Sequence, residues 1–147
     1  MLIGRAEIQA LIPHSGDMCL LDSVTHWDAA HINCTASSHR NPANPLAHHG
    51  KLHVLSGIEF AAQAMAVHGG LTNLVKERPQ AGLLVSVRDV VAQVQYLSDF
   101  AEDLLIEAEQ LMAADNGVTY SFHIHAGDQV LLTGRAMVVL DATGKMS

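Results

Sequence analysis

The sequence is poor in aromatic residues, basic residues and cysteine. Aromatic residues make up 4% of its 147 residues, whereas apolar residues make up 49%. Lys and Arg together number 8 against 15 Asp and Glu, and they form no cluster along the chain. A nucleic-acid-binding protein needs a basic patch, so this class is not expected. The two cysteines, Cys19 and Cys34, are too few for a disulfide scaffold and are typical of reduced core residues.

Long uninterrupted apolar runs are also missing. The most apolar stretch, residues 54–71, contains Glu59, Gln63 and His68, and a membrane span needs about 20 mostly apolar residues. The N-terminus has no cationic segment followed by an apolar run, so no signal peptide is expected. We therefore expect no membrane span and a cytoplasmic location. The length is that of one domain, and we predict a single domain over residues 1–147.

The motifs of metal and cofactor sites are absent from the sequence. No His-x-x-x-His pair falls on a predicted helix, and no Cys/His cluster has the spacing of a zinc site. The chain has no glycine-rich phosphate loop and no Gly-x-Ser-x-Gly elbow. We therefore predict neither a metal nor a cofactor.

Hydrophobic periodicity predicts an α+β fold. Strict alternation over 118–125 is typical of a strand with one buried face. Small and apolar residues recur at helical spacing on one face of a long helix over 54–75, namely Ile58, Ala61, Ala62, Met65, Ala66 and Gly69. The other predicted elements are a short helix at 6–11 and strands at 18–26, 31–37, 83–97, 104–112 and 130–140. The last four strands are expected to form an antiparallel meander in a sheet that wraps around the single long helix.

Three motifs in this order resemble the 3-hydroxyacyl-(acyl carrier protein) dehydratases of the FabZ and FabA type. They are Leu11-Ile12-Pro13-His14 followed by Cys19-Leu20-Leu21-Asp22-Ser23-Val24, then Gly57-Ile58-Glu59-Phe60-Ala61-Ala62-Gln63-Ala64, then Asp89 with the segment 99–105. The helix motif is most similar to the dehydratase subunits of aryl polyene clusters, the ApeP type. The resemblance implies a hot-dog fold, an antiparallel sheet around one central helix.

The resemblance also implies a site. In these dehydratases a His and a carboxylate share the proton transfers, and Glu59 occupies the position of the carboxylate early in the central helix. Gln63 lies four residues later on the same helix face, within reach of Glu59. Gly57 and His14 belong to the same motifs, and we predict Gln63, Gly57 and His14 as substrate-binding residues. The simpler interpretation of Glu59 is a solvent-facing acid that suits the helix dipole.

The histidine of the site is harder to assign from the sequence. Relatives place it fourteen residues before the carboxylate, where this chain has Pro45. His48 and His49 lie in the same proline-containing loop, 37–51, and a shortened loop would present either of them as the catalytic His. Adjacent loop histidines are also typical of an exposed surface.

The resemblance implies a hydro-lyase that acts on acyl thioesters in fatty acid or polyene-type biosynthesis. Its partners would be an acyl carrier protein or acyl-CoA and, in a homodimer or heterodimer, a second hot-dog subunit. Hot-dog dehydratases take the His and the acid of one site from different subunits, so Glu59 could complete a partner's site. Two alternatives remain open: a hot-dog acyl-CoA or acyl-ACP thioesterase, and a non-catalytic acyl-binding scaffold subunit.

Overall fold

The computed structural model of the chain describes residues 3–12, 16–72, 81–114 and 117–141. Helices and strands follow one another as β1 (Ile3–Gly4), α1 (Arg5–Leu11), β2 (Ser23–Trp27), β3 (His31–Ala36), α2 (Gly57–Thr72), β4 (Ala81–Ala92), β5 (Leu104–Ala114), β6 (Gly117–Ala126) and β7 (Gln129–Asp141). A 3₁₀ turn, Val54–Ser56, leads directly into α2. The long helix and the strands predicted from periodicity are therefore present, with shifted ends.

The strands form one antiparallel sheet in the order β1-β2-β3-β5-β6-β7-β4. On β6 the alternate residues Val118, Tyr120, Phe122 and Ile124 are buried, as the period of two predicts. The predicted four-strand meander is wrong, because β4 pairs with β7 and β3 takes the place beside β5. Two-residue connections join β5 to β6 and β6 to β7, so these pairs form hairpins. The longer segment 93–103 joins β4 to β5 and does not require these two strands to pair.

Helix α2 is buried on most of its circumference. It packs against β3, β4, β5 and β6, and α1 packs against α2. Its fully buried residues include Phe60, Ala61 and Ala64, while Ile58 and Ala66 on the predicted buried face are only partly covered. The hydrophobic face was hard to place from sequence because nearly every position of the helix is apolar or small.

The two cysteines lie in the core as free thiols. Cys19 and Cys34 are each 1% exposed. Burial raises the pKa of Cys34 to about 12, so its thiol stays protonated at neutral pH. This agrees with the prediction of reduced core residues.

Candidate functional site

The segment between β3 and α2 forms one wall of a cavity of about 450 Å³. The opposite wall is the 3₁₀ turn Leu97–Asp99 with the residues that follow it. The described residues that line the cavity are His39, Arg40, Asn41, Pro42, Ala47, Gly50, Leu52, Ser98, Asp99, Phe100 and Ala101. The proline-containing loop 37–51 is therefore the part of the chain that forms this wall of the cavity.

Two asparagines hold this loop in shape. The Oδ1 of Asn41 accepts a hydrogen bond from the backbone N–H of Ala43 (2.9 Å), and that of Asn44 accepts one from Leu46 (2.8 Å). The Nδ2 of Asn44 donates to the carbonyl of Ser38 at 3.0 Å. Such side-chain turns replace regular secondary structure, and they fix the start of the loop relative to the cavity.

His39 is the buried imidazole of the cavity wall, at 2% exposure. Its Nε2 lies 3.0 Å from the carbonyl oxygen of Phe100. A carbonyl can only accept, so Nε2 carries the proton and Nδ1 of the neutral ring presents a lone pair. Nδ1 is buried and has no hydrogen-bond partner among the described residues. Burial lowers the pKa of His39, although the Phe100 carbonyl acts in the opposite direction. The ring is therefore held neutral with one nitrogen able to accept a proton.

His39 is not predicted by the motif spacing, because the position fourteen residues before Glu59 is Pro45. His39 lies twenty residues before Glu59. The available signal was its place at the start of the Asn- and Pro-containing loop, beside Arg40. Arg40 also joins the two walls, since its guanidinium donates to the carbonyl of Ala101 and to Asp103.

His48 and His49 lie at the tip of a tight turn. The backbone N–H groups of His48 and Lys51 each donate to the other's carbonyl, at 2.8 and 3.0 Å. His49 has φ 53° and Gly50 has φ 75°, the pair of positive angles of a type I′ turn. Both imidazoles are exposed and contact each other edge to face, with centroids 4.2 Å apart. Neither ring lines the cavity of His39, so a catalytic role for either remains a prediction.

Glu59 lies in the first turn of α2 and is partly buried. It shares the less covered side of the helix with Leu55, Ile58, Ala62 and Ala66, a mostly apolar stripe. Glu59 is not among the described residues that line the His39 cavity. The described lining of this cavity in one copy of the chain therefore includes only one of the two candidate proton-transfer groups, His39.

Gln63 binds the chain segment before β2. Its Oε1 accepts from the backbone N–H of Leu20 at 2.9 Å, and its Nε2 donates to the carbonyl of Met18 at 2.8 Å. Gln63 is 1% exposed. Both ends of the amide thus bind residues 18–20, so this side chain has a structural role: it joins α2 to the segment before β2. No described contact supports the predicted substrate-binding role.

Gly57 starts α2 at a point of close packing. A Cβ at this position would lie 2.8 Å from Cδ2 of Leu132 and 2.9 Å from Cδ1 of Ile124, both fully buried side chains. Its backbone N–H donates to the carbonyls of Val54 and Leu55. The absence of a side chain lets the helix start sit directly on β6 and β7. The substrate-binding role predicted for Gly57 remains a prediction.

The predicted substrate-binding residue His14 lies outside the described residues. The motif around it is held by Arg5, whose guanidinium donates to the carbonyls of Leu21 (3.3 Å) and Gly16 (2.7 Å). The same guanidinium lies 3.7 Å from the carboxylate of Asp22. These contacts anchor the segment after α1 to the start of β2.

A second buried imidazole, His68, lies farther along α2. Its Nε2 is 2.8 Å from the carbonyl of Asp28 and its Nδ1 is 2.7 Å from the hydroxyl of Tyr120. Because the carbonyl only accepts, Nε2 donates and Nδ1 accepts from the tyrosine. Burial lowers the pKa of His68 and raises that of Tyr120. With both nitrogens occupied, His68 ties α2 to β6 and to the β2-β3 turn.

Within the described residues, no group of three or more His, Cys, Asp or Glu side chains is arranged to hold a metal ion. In the same part of the chain no helix has both the length and the apolar composition needed to cross a membrane.

Comparison with known proteins places these features in context. A family model described as ApeP-like, ApeP dehydratase, matches residues 6–145. The dehydratase heterocomplex ApeI:P from Xenorhabdus doucetiae superposes with a TM-score of 0.82 at 26% identity, covering 93% of this chain and 92% of that chain. No curated protein matches the sequence significantly.

More distant structures share the architecture. Zebra fish thioesterase superfamily member 2 has a TM-score of 0.64 at 15% identity, with 92% of this chain and 94% of that chain covered. A hypothetical thioesterase with coenzyme A from Streptococcus pneumoniae TIGR4 has a TM-score of 0.59 at 10% identity, with 80% and 84% covered. At such identities the likeness shows the fold alone, so it does not favour the thioesterase alternative.

Proposed function

The chain belongs to the ApeP-like dehydratase family, and from this premise we propose that it dehydrates 3-hydroxyacyl thioesters with His39 as the base. Its fold is the hot-dog fold predicted from the sequence. The dehydratase-type hydro-lyase assignment is thereby confirmed at the level of the family. We propose, in addition, which residues perform the reaction, which carrier holds the thioester and which kind of subunit is the partner.

The observation that carries the proposal is the state of His39. A general base must be neutral and have an unoccupied lone pair, and Nδ1 of His39, which is buried in this structure, must become exposed to the cavity when substrate enters. Burial keeps the ring of His39 neutral, and the Phe100 carbonyl fixes the tautomer so that Nδ1 is the accepting nitrogen. The adjoining cavity of about 450 Å³ has the size of a small-molecule site.

The reaction needs one base and one acid. In the proposed mechanism Nδ1 of His39 removes the C2 proton of the 3-hydroxyacyl group, and the electron pair of that C–H bond forms the C2–C3 double bond. The C3–O bond breaks, and the departing hydroxyl takes a proton from a carboxylic acid and leaves as water. Transfer of the proton from His39 back to the carboxylate restores the site.

We propose that the acid for His39 comes from a second subunit. Glu59 does not line the His39 cavity of its own chain, and it lies on an apolar stripe of α2 that a second hot-dog subunit could cover. Glu59 would then serve the site of that subunit in return. The similar ApeI:P structure is a dehydratase heterocomplex, which supports a heterodimer over a homodimer.

The substrate class follows from the same premise. We propose a 3-hydroxyacyl group carried as a thioester on an acyl carrier protein, in fatty acid or polyene-type biosynthesis. A chain that acts on such a carrier must share its compartment, and we propose that this compartment is the cytoplasm. The chain has a formal net charge of -7, so it repels an acidic carrier. We therefore propose that the partner subunit supplies most of the basic residues that bind the carrier.

The test is a dehydration assay with the chain alone and in complex with a second dehydratase-type hot-dog subunit. We expect the complex to convert 3-hydroxyacyl-ACP to enoyl-ACP. When His39→Gln has inactivated the other site, Glu59→Gln in this chain should slow the remaining turnover by about 10²-fold or more. Full activity of the chain alone that is unaffected by Glu59→Gln would refute the shared site. Release of free acid in place of the enoyl product would establish a thioesterase instead.

A further inference from the structure

Two arginines meet on the outer face of the sheet, far along the chain from the loop of His39. Arg88 on β4 and Arg135 on β7 are directly opposite each other in the antiparallel pairing. Like charges at such positions repel and destabilise a strand pair unless an anion lies between them. The chain has only 8 Lys and Arg residues, so it could easily have avoided placing two of them opposite each other. The pairing therefore needs a physical explanation.

The arginines line a small concavity of about 110 Å³. Its described lining residues are Ser86, Arg88, Thr119, Arg135, Ala136 and Met137. The pairing explains why these polar side chains share one face, because Met137 is opposite both Ser86 on β4 and Thr119 on β6. At roughly 30 Å³ per water, the space equals three to four water molecules, the scale of one phosphate group.

Two irregularities in β4 shape this concavity. The register shifts between Leu84 and Ser86 and again between Arg88 and Val91. In the second bulge Asp89 has φ 56°, a left-handed conformation that only a few residue types adopt readily. Bulges redirect side chains at sheet edges and often accompany binding sites.

The charges around the concavity are unbalanced. The side chain of Arg88 makes no hydrogen bond or ion pair with any described residue. Arg135 has one acidic neighbour, Asp89, whose Oδ2 lies 3.9 Å from its Nε, and both side chains are more than half exposed. One exposed carboxylate offsets at most one of the two guanidinium groups, so the described residues leave an excess positive charge at the concavity.

We infer that the concavity is a binding site for a phosphate group. Guanidinium groups donate paired N–H bonds that match the oxygens of phosphate, and two of them facing one cavity can hold it from both sides. The hydroxyls of Ser86 and Thr119 are additional donors on the same face. The phosphate can be free or part of coenzyme A, and the inference does not depend on the proposed dehydratase function.

The test is a titration of the full chain with sodium phosphate against sodium chloride at equal ionic strength, followed by ¹H–¹⁵N NMR. We expect saturable shifts at the amides of Thr119 and Arg135 with phosphate only. Arg88→Gln and Arg135→Gln should each weaken the affinity about tenfold or more. Lys51→Ala removes the same charge elsewhere and should leave the affinity within about twofold.

Asp89→Asn should change the affinity for phosphate in the opposite direction. It removes the carboxylate that competes for Arg135, and Asn is well tolerated at positive φ, so the affinity for phosphate should rise about two- to fivefold. A coenzyme A titration distinguishes the sources: tighter binding than inorganic phosphate, lost in Arg88→Gln, identifies a coenzyme A site, and equal binding identifies free phosphate. Absence of saturable binding, or equal affinities of wild type and Arg88→Gln, would overturn the inference.

Discussion

Replacing Gln63 with Leu separates a structural role of this helix residue from the substrate-binding role that its motif suggests. The amide bonds the N–H of Leu20 and the carbonyl of Met18, and Gln63 itself is 1% exposed. Leucine fills a similar volume without either hydrogen-bonding group. The substitution therefore removes the two bonds while creating little empty space.

The magnitude follows from the burial of the two backbone groups. Leu20 is 1% exposed, so its N–H would be left without a partner at a cost of about 1–3 kcal/mol. The Met18 carbonyl is only partly buried and can regain water, which adds about 0.5–1 kcal/mol. The expected loss in the free energy of unfolding is about 1.5–4 kcal/mol. With an m-value of about 2 kcal/mol/M, the urea midpoint should fall by about 0.8–2 M.

The assay is urea unfolding followed by circular dichroism, with Gln129→Leu as the matched control. Gln129 is exposed at the start of β7, so its replacement should change the free energy of unfolding by no more than about 0.5 kcal/mol. For Gln63→Leu we expect the lower midpoint with little change in KM at temperatures where the variant is folded. An unchanged midpoint combined with a raised KM would refute the structural role and support substrate binding.

Three further predictions follow from buried groups. Gly57→Ala should destabilise the fold by about 1–3 kcal/mol, because the new methyl group overlaps two buried side chains, and a thermal melt equal to wild type would contradict this. His68→Phe should destabilise it by about 2–4 kcal/mol by leaving the Tyr120 hydroxyl and the Asp28 carbonyl without their partner, as urea unfolding would measure, and an unchanged midpoint would argue against that network. Stability should fall as the pH drops below 6.5, because the fold lowers the pKa of His39 and His68 and the unfolded chain then binds more protons. Unfolding at pH 7.5 and 5.5 checks this; the His68 variant should show a weaker pH dependence, and equal slopes would count against the assignment.

Local patterns in the sequence predict the helices and strands of this fold, but they do not predict which strands lie beside one another in the sheet. The alternation around Tyr120 and the small-residue helix are both confirmed. The position of β4 was mispredicted because periodicity identifies a strand without naming its partner. Short connections define pairing locally for β2-β3, β5-β6 and β6-β7, and β4 has none.

The candidate site depends on contacts between distant parts of the chain. The carbonyl that fixes the His39 tautomer belongs to Phe100, 61 residues away. Gln63 was expected to reach Glu59 one turn earlier on the helix, yet its partners are 43 and 45 residues away. Motif order was sufficient to identify the family, whereas the chemistry of each polar side chain depends on which distant backbone group it meets.

The positively charged concavity of Arg88 and Arg135 could not be predicted from the sequence for the same reason. They are 47 positions apart in the sequence and form no visible basic cluster. The pairing of β4 with β7 brings them together on one face. The absence of a basic run along the chain therefore does not exclude an anion site built across strands.

The most direct test of the proposed dehydratase site adds His39→Gln to a Glu59→Gln chain, in complex with a partner hot-dog subunit acting on 3-hydroxyacyl-ACP. Glu59→Gln inactivates the partner's site, so that the remaining turnover reports on the His39 site. We expect kcat to fall by about 10²–10⁴-fold with KM nearly unchanged, because glutamine can still donate to the Phe100 carbonyl but cannot act as the base. The double variant His48→Ala/His49→Ala should lose at least tenfold less activity. A His39→Gln/Glu59→Gln complex within threefold of the Glu59→Gln complex would contradict the assignment of His39 as the base.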